Sequence, residues 1–179
     1  MQSPDLSQNY FELFDLPMSF DIDTGRLQSE QRRLQAQYHP DRHVNGSDRE
    51  RRLSVQLAAW VNQAYETLRD PVKRSRYLLE LGGADLPEES ATTSDTTFLM
   101  EQIELREEIE ACREHADGLA QSEQLAHRLV QRAETLAQEF VVAYEGGDLV
   151  AALATSHKMQ FIQRIQAQLD ELQFELEGL

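Results

Sequence analysis

A single cysteine, Cys112, leaves no partner for an internal disulfide and no cysteine-based zinc site within one chain. No apolar run reaches the roughly 18 residues a membrane helix needs, and no charged-then-apolar segment stands at the start. Runs that alternate polar residues with branched or aromatic ones are missing, so strands are not expected. Positive charge is scarce: 17 Lys and Arg stand against 32 Asp and Glu, for a net charge of -15. That balance argues against nucleic acid and anionic membrane surfaces as partners. What is present suffices for a packed core, since 40% of the residues are hydrophobic. The expectation is an all-α protein in a reducing, cytoplasmic setting, with no resident cofactor or metal.

The charge is unevenly distributed. Residues 1–82 carry 11 Lys and Arg against 12 Asp and Glu, a balance of -1, whereas residues 83–179 carry 6 against 20, a balance of -14. Between Gly82 and Thr97 the chain is rich in Gly, Ser and Thr without an apolar period, as linkers are. Two domains are therefore expected, residues 1–82 and 98–179, with a linker over 83–97.

In the first domain, Tyr10 to Leu16 reads as a short helix stopped by Pro17. Asp23 is an N-cap candidate for a second helix through Leu27, Leu34 and Tyr38, which Pro40 ends by disfavouring helical geometry at His39. Ser47 and Glu50 have capping-box spacing, ahead of the stripe Leu53, Leu57, Val61, Ala64 and Leu68. Asp70 and Pro71 start a fourth helix carrying Tyr77, Leu78 and Leu81. In the second domain, helices are expected from Thr96 to about Asp117, from about Ser122 to Tyr144, and from Asp148 almost to the end. The last has the stripe Ile162, Ile165, Leu169, Leu172 and Leu176. Short turns between long helices predict an antiparallel three-helix bundle.

The run Tyr38-His39-Pro40-Asp41-Arg42 between two long helices, followed by Asn62-Gln63-Ala64-Tyr65-Glu66-Thr67-Leu68, Asp70-Pro71, Arg74 and Tyr77, resembles the J-domain over about residues 8–82. J-domains dock on a DnaK-type chaperone and stimulate its ATP hydrolysis. The resemblance assigns chaperone binding to His39, Pro40 and Asp41, with Arg32 and Arg33 as a basic docking face. A stiff proline loop presenting a carboxylate to a charged donor suits that role. His39, Asp41 and His43 also have a His-x-Asp-x-His spacing open to a metal, although no supporting ligand accompanies it. No nucleophile accompanies His39 and Asp41, so catalysis by this chain is not expected.

The helix after Ser94 has two apolar faces. At about 100° per residue, Phe98, Leu105, Ile109 and Cys112 form one stripe, while Leu99, Met100 and Ile103 fall on the opposite side beside Glu104 and Glu107. A surplus apolar face with an acidic rim is a binding surface, or else a surface covered by the J-domain or linker. The segment Asp95-Thr96-Thr97-Phe98-Leu99-Met100-Glu101-Gln102-Ile103-Glu104-Leu105-Arg106-Glu107-Glu108 resembles the start of the C-terminal domain of the HscB family. That resemblance implies a monomeric co-chaperone of iron–sulfur cluster assembly, with the chaperone HscA and the scaffold IscU as partners. It places scaffold binding on Leu99, Met100, Ile103, Glu104, Glu107 and Phe161. Phe161 rests on the resemblance alone, at the edge of its own helix's core stripe, and Ala111 stands where relatives extend the acidic rim.

Overall fold

The computed structural model describes residues 8–39, 47–85 and 95–178. The fold is all-α, and among the described residues there are seven helices and no strand. Two compact units divide the chain, Met1–Leu78 and Leu79–Leu179.

Unit 1 begins with α1 (Tyr10–Leu13), α2 (Thr24–Tyr38) and α3 (Asp48–Arg69), followed by α4 (Pro71–Leu81), which crosses the division. The caps are local and match their sequence signals. Asp23 accepts the backbone N–H of Arg26 at 2.9 Å, and Ser47 with Glu50 closes a full capping box. Asp70 accepts the N–H groups of Val72 and Lys73 at 2.8 and 3.1 Å, opening α4. One expectation needs correction. The first helix ends at Leu13, ahead of the expected Leu16, and Pro17 is not what stops it. Asp15 takes a left-handed φ of 50°, and the N–H groups of Asp15 and Leu16 return to the carbonyls of Glu12 and Phe11 at 3.1 and 2.9 Å. This is a Schellman turn with aspartate in the position glycine usually holds.

α3 packs against both α1 and α2, and Phe11, Phe14, Leu27, Leu34, Leu57, Val61, Ala64 and Leu68 are buried. Arg74 and Tyr77 of the J-domain pattern are internal fasteners. The buried Arg74 guanidinium donates through Nη1 to the Leu68 carbonyl at 2.6 Å and lies 4.8 Å from the Phe20 ring centroid. Tyr77 stacks on Tyr10 at 4.4 Å, and its hydroxyl accepts the Tyr10 N–H at 3.0 Å.

Unit 2 is the expected three-helix bundle of α5 (Thr96–Glu114), α6 (Gly118–Glu145) and α7 (Leu149–Glu177), each packed against the other two. α6 starts four residues earlier than the expected Ser122, and α5 ends before Asp117. Ser122 is buried within α6, where its hydroxyl donates to the Leu119 carbonyl at 2.6 Å, so it caps nothing. Gly118 is what the tight α5–α6 corner requires, because a Cβ there would stand 1.9 Å from the Cys112 carbonyl oxygen. At the other corner Gly147 adopts φ 77°, and the N–H groups of Gly147 and Asp148 bond back to Tyr144 and Ala143 in a second Schellman turn. Asp148 then caps α7 through the Ala151 N–H at 2.9 Å. Phe98, Leu105, Ile109 and Cys112 of α5 are buried with Leu125, Leu129, Leu136 and Phe140 of α6 and Met159, Ile162, Ile165, Leu169 and Leu172 of α7. Leu176, the last of the expected stripe, is half-buried.

Candidate functional site

The first candidate face lies at the end of α2. Tyr38 is buried and anchors the helix, and His39 follows as an exposed C-cap with ψ 128°, outside helical geometry. Burial raises the Tyr38 hydroxyl pKa above its ordinary value, against a smaller opposing pull from Arg33. Pro40 and Asp41 lie outside the described residues, as does His43. Arg32, Gln35, Ala36 and His39 line one shallow groove, because residues seven apart on a helix share a face. The two arginines thus differ. Arg32 stands in the groove with His39 and makes no ion pair among the described residues, whereas the Arg33 Nε bonds the Glu30 carboxylate at 2.8 Å.

The second candidate face is on α5. Asp95 caps this helix by accepting the Phe98 N–H at 3.1 Å and also receives the Lys158 ammonium of α7 at 2.6 Å. The Lys158 bond, and after it the Phe98 N–H, holds the Asp95 carboxyl below the usual aspartate range. With Phe98 and Leu105 turned inward, Met100 and Ile103 are left 55% and 48% exposed, and Leu99 is half-buried. The carboxylates of α5 then sort into two kinds. Glu101 receives Arg132 of α6 through two bonds at 2.7 and 3.0 Å, and Glu108 receives Arg128, so these two tie α5 to α6. The Glu101 hydrogen bond raises the Arg132 pKa further above its already high value. Glu104 and Glu107 are exposed and have no ion pair among the described residues.

Phe161 joins core and surface. Its half-buried ring meets Phe98 edge-on at 5.4 Å, and the Arg106 guanidinium lies 5.5 Å from its centroid. The helical wheel of α5 contains no sign of Phe161 or of the cations from α6 and α7, because they come from other helices. A question the sequence does raise is where the six cations of this acidic half find partners. Cys112 is buried in the core, and its thiol pKa is pushed up by that burial and then by Glu108. Among the described residues there is no cluster of His, Cys, Asp and Glu able to hold a metal and no helix long and apolar enough to cross a membrane.

A helical hairpin with a groove that holds Arg32 and His39, continued in one chain by an acidic bundle with an open apolar face, defines the class: an all-α J-domain protein with a C-terminal helical domain. The family model described as the HSCB C-terminal oligomerisation domain matches residues 94–170. The solved structure of the chaperone HscB from Vibrio cholerae is 35% identical, with a TM-score of 0.84 over 94% of this chain and 99% of that one. The human co-chaperone protein HscB is 29% identical, with a TM-score of 0.87 over 100% of this chain and 87% of that one. The Jac1 co-chaperone from Saccharomyces cerevisiae, 24% identical, shares the fold at a TM-score of 0.72 over 93% and 97% of the two chains. The chain belongs to the HscB family of co-chaperones.

Proposed function

We propose that this protein docks on a DnaK-type chaperone, HscA, through His39, Pro40, Asp41 and the basic face of α2, and stimulates its ATPase. In this reading residues 1–82 are the J-domain, 83–97 the linker, and 98–179 the bundle that delivers the iron–sulfur scaffold IscU. The scaffold-binding residues are Leu99, Met100, Ile103, Glu104, Glu107 and Phe161. The observation that carries the reading is the exposed pair Met100 and Ile103 flanked by two carboxylates that no cation of the bundle neutralises. Such a surface suits an apolar partner face with basic residues around it. The chain itself performs no chemistry; it changes the rate of another protein.

The test is the ATPase rate of HscA with IscU, with and without this protein and its His39→Gln variant. The native chain is expected to raise the rate and the variant to leave it unstimulated, with helical content and scaffold affinity unchanged. Loss of all three together would make His39 a structural residue and remove the docking assignment. Stimulation with no measurable IscU affinity would keep the J-domain role and assign a different client.

A further inference from the structure

Among the described residues, four of the six cations of the acidic half are held by carboxylates of the bundle: Arg113, Arg128, Arg132 and Lys158. Arg106 is not, although its surroundings hold so many acids. Its neighbour one turn on, Glu110, is engaged by Arg113 at 3.7 Å. The Arg106 guanidinium instead lies over the Phe161 ring and remains exposed. On the α5 wheel, taking Leu105 as zero, Arg106 sits at about 100°, Leu99 and Ile103 at about 120° and 160°, Glu107 at about 200° and Glu104 at about 260°. With Met100 at about 220°, the apolar strip therefore has a cation along the edge facing α7 and Glu104 along the other, while Glu107 stands within it, a turn beyond Ile103.

Resting on the scaffold-binding reading above, we propose that Arg106 is a specificity-determining residue that receives an acidic side chain of the scaffold. The bound scaffold face then carries both signs of charge, basic opposite Glu104 and Glu107 and acidic opposite Arg106. An exposed aromatic face orients a guanidinium while leaving its N–H fork free, and that fork matches a carboxylate with two parallel bonds. Opposite charges at the two edges of one strip make a partner docked in the reversed direction repulsive at both edges, which selects an orientation as well as a partner.

The experiment is titration calorimetry of the full chain against IscU at several salt concentrations. The variants are Arg106→Glu, Arg106→Met, Arg106→Lys and, as a control of equal charge change, Arg164→Glu on α7. Arg106→Glu is expected to weaken binding by about tenfold or more, with the deficit shrinking as salt rises. Arg106→Met should fall between it and the native chain, and Arg106→Lys should retain most of the affinity. Reversal of one surface carboxylate of IscU to lysine should restore binding to Arg106→Glu. Unchanged or tighter binding by Arg106→Glu would overturn the proposal, as would an equal loss in Arg164→Glu, which would reduce the effect to net charge. Equal, salt-insensitive losses in Arg106→Met and Arg106→Glu would also overturn it, showing that Arg106 only steadies Phe161. The joint replacement of Leu99, Met100 and Ile103 by alanine, run alongside, tests the scaffold-binding reading itself: if that variant binds as the native chain does, the face is wrong, whatever Arg106 shows.

Discussion

Asp95 receives the Lys158 ammonium and the Phe98 N–H, and both donors favour its charged form. Because its folded pKa is depressed, its contribution to stability is present above the unfolded aspartate value, about pH 4, and is lost as pH falls through the lower folded value. Asparagine caps helices as well as aspartate does, so Asp95→Asn removes the charge and keeps the cap. The variant is expected to melt slightly below the native chain at neutral pH, and the gap is expected to close as pH falls below about 4. A gap that stays constant across thermal melts from neutral to acid pH would show that the Lys158 pair adds nothing beyond the cap. Arg33 and Arg32 differ for a comparable reason: a carboxylate one turn away occupies the first, while the second lines a groove with His39.

α5 has two apolar faces, and the bundle buries only one of them. Replacing Leu99, Met100 and Ile103 together by alanine removes apolar area from the complex while changing the free bundle little, since alanine favours the helix and two of the three side chains are largely exposed. Full burial of such a side chain is worth roughly 1.5–3 kcal/mol, so the triple variant should lose at least about 3 kcal/mol of scaffold affinity, more than a hundredfold. Leu105→Ala should do the reverse, opening a core cavity at a cost of about 2–5 kcal/mol in stability. Melting temperature and scaffold affinity measured on both variants check this. A triple variant that melts as early as Leu105→Ala would mean that the native fold already uses this face.

Charge divides the protein into two unlike halves. The first half is close to neutral and places Arg32 in a groove with His39, while the other half carries a balance of -14. Reversing Arg32 should therefore slow association with the chaperone and leave scaffold affinity unchanged. The defect should shrink as salt rises, since screening already limits the native attraction to about 8–10 Å at physiological ionic strength. Arg32→Glu is expected to cost more stimulation than Arg33→Glu, because Arg33 is already neutralised by Glu30. Stopped-flow association rates for the two variants over a salt series provide the measurement. Equal, salt-independent defects would argue for lost contact geometry instead of steering.

Helix starts and core stripes follow from the sequence because their causes act within four residues. Asp23, Ser47 with Glu50, Asp95 and Asp148 cap the helices they precede, and the inward stripe of α5 lies where a 3.6-residue period puts it. The same local reasoning found the two-faced character of α5. It misplaced the end of α1, where an aspartate adopts a conformation that few sequences mark, and the start of α6. Gly118 belongs to a helix because the α5 backbone approaches too closely for any side chain there, and no property of neighbouring residues encodes that approach. Which carboxylates of α5 are consumed by Arg128 and Arg132, and why Phe161 belongs beside Arg106, are likewise matters of helices far apart in sequence. Periodicity places a residue on a face of its own helix. Packing against α6 and α7 settles which of those residues are already engaged, and thus which remain for a partner.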